Sequence, residues 1–201
     1  HNGEAVANLA MRFLRSLFNF AKAHYEDGFG RAVLEENPVE RLTRTRAWFR
    51  SQRRSTVIKP HQLKPWYEAV IALRNADSSL SAVVSDYLAL LLFSGLRRQE
   101  AAQLTWDRVD LQDRTLVIPD PKNHVPLLLP LSNPLVEILE RRHAAARNAF
   151  VFPGDGPAGY MIEPKRQIAK VIEGSGVHFT LHDLRRTFIT MAESLGVPPY
   201  T

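Results

Sequence analysis

The chain of 201 residues contains no cysteine, so a disulfide scaffold and a zinc site built on thiolates are both excluded. Long apolar runs are also missing. The longest, Tyr87 to Phe93, is far too short to span a bilayer. The opening residues His1-Asn2-Gly3-Glu4 lack the basic and apolar regions of a signal peptide. They also lack an initiator Met, so a fragment or trimmed chain with a cytoplasmic location is expected. No internal repeat or low-complexity tract interrupts the sequence. With 45% hydrophobic and 23% charged residues, wholesale disorder is excluded and one full core plus part of a second is expected.

What is present in excess is positive charge, and it is concentrated. Lys and Arg number 26 against 21 Asp and Glu, a formal net charge of +5. Six arginines and no acid fall between Arg41 and Arg54. Without these six, 20 basic residues face 21 acidic ones, so the whole excess lies in one stretch. That placement suggests contact with a polyanion through Arg44, Arg46, Arg50, Arg53 and Arg54. A solvated charged linker is the alternative for the same residues.

Apolar periodicity predicts a helix over Glu4–Tyr25, with Val6, Leu9, Phe13, Leu17, Phe20 and Ala21 on one stripe. One helix cannot bury such a face alone, so its partners are expected upstream or elsewhere in the molecule. A glycine-containing loop and the Asn37-Pro38 turn follow. From Ser55 a larger unit begins. Helices are expected at Pro60–Leu73, at Ser79–Phe93 with Asp77 and Ser78 as capping candidates, and from there past Gly95 through Leu104. Strands are expected at Leu116–Ile118 and Val125–Leu129, forming a hairpin around residues 119–124. Helices at about Pro134–Arg147, Glu163–Glu173 and Leu181–Leu195 complete it, the last stopped by Gly196 and Pro198-Pro199. The expected fold is α+β, mostly helical, with a small antiparallel sheet.

Three clusters could carry chemistry. In Thr180-Leu-His-Asp-Leu-Arg-Arg-Thr187, Thr180 and Asp183 have capping-box spacing, which starts a helix at Leu181. His182 and Arg185 then share a face beside a helix N-terminus that favours phosphate. An ordinary exposed helix start reads equally well. In Phe93-Ser-Gly-Leu-Arg-Arg-Gln-Glu100, an apolar helix ends and presents Arg97, with Glu100 one turn later as its anionic partner. A plain surface ion pair is the alternative. Lys122 sits at the hairpin tip, where a lysine gains meaning only if the hairpin points at the two arginines.

Taken in order, Ser-Gly-Leu-Arg-Arg-Gln-Glu with Leu104-Thr-Trp-Asp107, Pro121-Lys-Asn with Pro130-Leu-Ser132, and His182-Asp-Leu-Arg-Arg-Thr187 resemble the tyrosine recombinases of the phage integrase type. The resemblance runs from about Ser55 to the end. It implies a tyrosine recombinase catalytic fold over residues 55–201 that lacks its C-terminal segment. Residues 1–40, with Asn37-Pro-Val-Glu40, resemble the end of the family's helical core-binding domain, and 41–54 would be the Arg-rich linker between the two. It further implies strand cleavage through a 3′-phosphotyrosyl intermediate without metal or other cofactor. Arg97 and Arg185 would bind the phosphate, Lys122 would be the general acid and His182 would assist proton transfer. Glu100 would hold Arg97, while Arg98 and Arg186 would pack or meet the DNA backbone. Tyr200 follows Arg185 too closely to be the nucleophile, which is expected downstream. The implied partner is a double-stranded attachment site bound by a homotetramer, with accessory DNA-bending proteins allowed, in a bacterial or phage-encoded, nucleoid-associated setting. A regulator that binds DNA without cutting it, and a helical protein-interaction domain, remain the competing readings.

Overall fold

The computed structural model describes residues 2–50, 55–76, 78–121 and 125–197. They form two compact units, 1–54 and 55–201.

The first unit is built on α1 (Asn2–His24), followed by a loop and the short α2 (Glu40–Arg44). Polar contacts hold it together. Asn37 donates to the Arg15 carbonyl and to Asn19 Oδ1, both at 2.8 Å, while its own Oδ1 accepts from the Val39 amide. Asn8 bridges to the Phe49 backbone through both ends of its amide. The face of α1 that packs here therefore centres on Asn8 and Arg15. The predicted apolar stripe lies elsewhere: Val6, Leu9, Phe13, Leu17 and Phe20 are all exposed, Phe13 at 65%. Part of the Arg-rich stretch is helical, since α2 runs through Arg44.

The second unit comprises α3 (Pro60–Arg74), α4 (Ser79–Ser94), α5 (Arg98–Ala102), β1 (Val109–Asp110), β2 (Thr115–Ile118), β3 (Leu127–Pro130), α6 (Asn133–Ala144), α7 (Lys165–Ser175) and α8 (Leu181–Ser194). A single 3-10 turn, Trp106–Arg108, precedes β1. The layout is mostly helical with one three-stranded antiparallel sheet in the order β1-β2-β3, as expected from the sequence apart from the extra two-residue strand. The centre is α4. From Val83 to Leu92 it is buried all round, mostly through apolar side chains with Ser85 and Asp86 among them, and it packs on α3, α6 and α8. Trp66 meets Phe179 edge-on at 5.6 Å, and Tyr87 meets Phe152 at 5.1 Å. In the sheet, Leu116 and Ile118 turn inward while Val117 faces out, the period of two that a one-sided sheet requires.

Boundary differences have local causes. Strand β3 starts at Leu127, opposite Ile118, rather than at Val125. Past Ile118 stands Pro119, which has no N–H to extend the ladder. Helix α5 stops at Ala102, short of Leu104, whose carbonyl accepts the Val151 amide at 2.9 Å. Ser78 is the N-cap of α4 but makes no side-chain cap bond, and Asp77 lies outside the described residues. No helix among the described residues is long and apolar enough to cross a membrane.

A buried ion pair ties α4 to α6. The Asp86 carboxylate, 4% exposed, binds Arg141 at 2.9 Å and Arg142 at 3.8 Å. Burial pushes the Arg142 guanidinium below its ordinary pKa, with Asp86 opposing.

Candidate active site

The C-terminal end of α4 sets the geometry. Gly95 closes the helix in the left-handed conformation, φ +63°, and its amide donates to the Leu91 carbonyl. Any other residue is strained here, because its Cβ would press into the Phe188 ring on α8 and force the ring or the helix to shift. This close approach lets Arg185, one turn before Phe188, donate from Nη1 to the Gly95 carbonyl. The two residues are 90 positions apart in sequence.

Two residues after Gly95, Arg97 is the N-cap of α5 and is extended. Its amide donates to Glu100 Oε2 at 2.9 Å and its Nη1 to Glu100 Oε1 at 2.6 Å. Glu100 is 11% exposed and Arg97 38%, so the carboxylate is inside and the guanidinium at the surface. The α4–α5 turn thus organises both arginines: Arg97 belongs to it, and Arg185 is tethered to its first residue. Beneath it, the Tyr87 hydroxyl donates to the Arg98 carbonyl at 2.8 Å. Burial pushes the Tyr87 phenol well above its ordinary range, so it stays a neutral donor.

His182 lies in the first turn of α8, exposed, three residues before Arg185. The predicted capping box is present: the Thr180 amide and hydroxyl donate to Asp183 Oδ2 at 2.9 and 2.8 Å. The Asp183 side chain is only 5% exposed. Burial alone would raise its pKa, but bonds from Thr180, Thr56 and Arg186 outweigh this and hold it below the ordinary aspartate value. Arg186, expected to pack or meet a DNA backbone, is paired with Asp183 at 3.0 Å.

Lys122, Tyr200, Arg53 and Arg54 lie outside the described residues. In the first unit, Arg46 and Arg50 are exposed, whereas Arg44 is engaged by Glu36 at 2.9 Å. Sequence reasoning brought out Arg97, Glu100, His182 and Arg185. It missed the bond between Thr56 and Asp183, residues 127 positions apart, for which no local signal exists. A concavity of about 470 Å³ between α3 and α7, lined by Pro65, Ala69, Leu73 and Gly174, contains none of these residues. Arg97 instead stands 38% exposed on the α4–α5 turn and His182 is exposed in the first turn of α8.

Solved structures share this architecture. The Tn1549 transposon integrase in complex with circular intermediate DNA aligns over 98% of this chain and 68% of its own, with a TM-score of 0.69 at 16% identity. A lambda integrase dimer bound to a COC′ core site aligns over 96% and 53%, with a TM-score of 0.64 at 20% identity. The phage integrase family model matches residues 56–199, and the chain belongs to that family. Among curated relatives, the prophage integrase IntF of Escherichia coli (strain K12) is 32% identical over 147 residues, 70% of this chain and 30% of the relative. Prophage integrase IntZ of the same strain is 31% identical over 123 residues, 58% of this chain and 30% of the relative. The chain therefore spans less than a third of the length of these curated relatives.

Proposed function

We propose that this chain is the part of a site-specific DNA recombinase that binds and activates the scissile phosphate, and that the complete protein cuts and rejoins strands through a 3′-phosphotyrosyl intermediate. The tethering of Arg185 to the Gly95 carbonyl, two residues from Arg97, carries this reading. It ties together two guanidinium-bearing elements far apart in sequence. Guanidinium groups suit a phosphate because their planar fork can meet two oxygens at once.

In this mechanism a tyrosine oxygen attacks the phosphorus, forming a P–O bond to the enzyme and breaking the bond to the 5′-oxygen of the next nucleotide. Arg97 and Arg185 stabilise the charge that builds on the two non-bridging oxygens. Lys122 gives its proton to the departing 5′-oxygen, and His182 assists proton transfer at the nucleophile and contacts the phosphate. Glu100 keeps Arg97 oriented. The phosphodiester exchange is near-balanced, so the covalent intermediate can be resealed onto another strand. The attacking tyrosine is assigned to sequence beyond Thr201 rather than to Tyr200.

Residues 1–40 are read as the end of a core-binding domain, 41–54 as a DNA-facing linker and 55–201 as catalytic. The substrate is a duplex attachment site, held by a homotetramer. A nicked suicide duplex tests the reading: the full-length protein is expected to be trapped covalently on it, and Arg97→Ala and Arg185→Ala to abolish trapping. Binding without trapping by the unaltered protein would refute cleavage and favour a regulator.

A further inference from the structure

The bonding of Asp183 exceeds what a helix cap needs. Its Oδ2 takes both Thr180 donors and completes the cap. Its Oδ1 serves a different purpose, accepting from the Thr56 hydroxyl at 3.0 Å and from Arg186 at 3.0 Å. One turn along α8, the buried Thr187 hydroxyl accepts the Ile58 amide at 2.9 Å and donates to the Asp183 carbonyl at 2.8 Å. Ile58 itself is 3% exposed and belongs to the core. Residues 56–58 are thus held at two points on one face of α8, since positions four apart lie one above the other. They are also the first described residues after the Arg-rich stretch, apart from Ser55.

We infer that Thr56 and Thr187 are positioning residues: they clamp the segment leaving the Arg-rich stretch to the helix that carries His182 and Arg185, so that strand cleavage depends on how that segment is seated. The inference rests on the recombinase reading above. Its physical basis is geometric. Asp183 and Thr187 interleave with His182 and Arg185 on the same turns, so a shift of α8 at the clamp moves both. Neither threonine is placed against the phosphate. Each is replaceable by an isosteric valine that removes the hydroxyl and keeps the volume.

The test uses full-length protein carrying Thr56→Val, Thr56→Ser, Thr187→Val or Thr187→Ser, with trapping rate and duplex affinity measured separately. The valine variants are expected to trap on the order of ten-fold more slowly, less than the hundredfold that a 1 Å misplacement can cost, with affinity unchanged. The serine variants, which keep the hydroxyl, are expected to recover most of the rate. Valine variants that trap like the unaltered protein overturn the inference, provided Arg185→Ala abolishes trapping. Loss of affinity equal to the loss of rate identifies a DNA contact and overturns it too. Serine variants as slow as the valines overturn the hydroxyl's role. If the unaltered protein binds duplex but never traps it, the recombinase reading fails and the inference falls with it.

Discussion

Replacing Gly95 by alanine tests the join on which the candidate site depends. Two costs follow from the structure. At φ +63° an alanine sits in the left-handed region, which costs about 1 kcal/mol relative to glycine. The new Cβ would also stand 2.2, 2.8 and 2.9 Å from three atoms of the Phe188 ring, so the ring or α8 must give way. Overpacking of this kind costs about 1–3 kcal/mol. Together the two predict a loss of about 2–4 kcal/mol and a fall in Tm of roughly 5–15 °C for a unit of this size. Thermal melting followed by circular dichroism measures it. Pairing the change with Phe188→Ala removes the steric part, so the double variant should lose less than the sum of the singles by at least about 1 kcal/mol. A Gly95→Ala protein that melts within about 2 °C of the original, or strictly additive variants, would refute the close approach of α4 and α8.

Three other outcomes are expected. Asp183→Asn should destabilise the fold at neutral pH by about 1.5–3 kcal/mol, because charge-assisted bonds are lost. The folded pKa of Asp183 is depressed, so its stabilisation is present above the unfolded value of about 3.9 and disappears as pH falls through the folded pKa. The gap between the two proteins should therefore narrow in acid, and a gap independent of pH would contradict this. Asp86→Ala leaves the 7%-exposed Arg142 without its counter-charge and should cost about 3–5 kcal/mol in urea unfolding, whereas a neutral result would show that the pair adds nothing. Arg46→Glu with Arg50→Glu should weaken duplex binding regardless of sequence and flatten the dependence of log K on log salt, where each phosphate contact contributes about 0.9. An unchanged slope removes these two arginines from the interface. Arg44 is left out because Glu36 already engages it.

Elements long enough to show a period were legible. The 3.6-residue pattern and the cap residues placed α3, α4 and α8 within a residue or two, and Thr180 with Asp183 marked the start of α8. Two of the shortest elements were not. The two-residue β1 and the five-residue α2 are too brief for any period to show. The stripe on α1 shows another limit. Its spacing was correctly read as a single face, yet spacing says nothing about cover, and the face is exposed while Asn8 and Arg15 make the packed side.

The sequence by itself determined the helical class, the sheet's place between helices, the family, and the residue types at the candidate site. These are local properties: period, capping and the order of short motifs are all written along the chain. Only the tertiary structure decided which groups meet. That Arg185 reaches the turn holding Arg97 depends on a glycine beneath a phenylalanine ring. That Asp183 serves Thr56 as well as its own helix depends on packing across 127 positions. Contacts between distant segments arise from how a whole core closes, and no window of sequence contains that information.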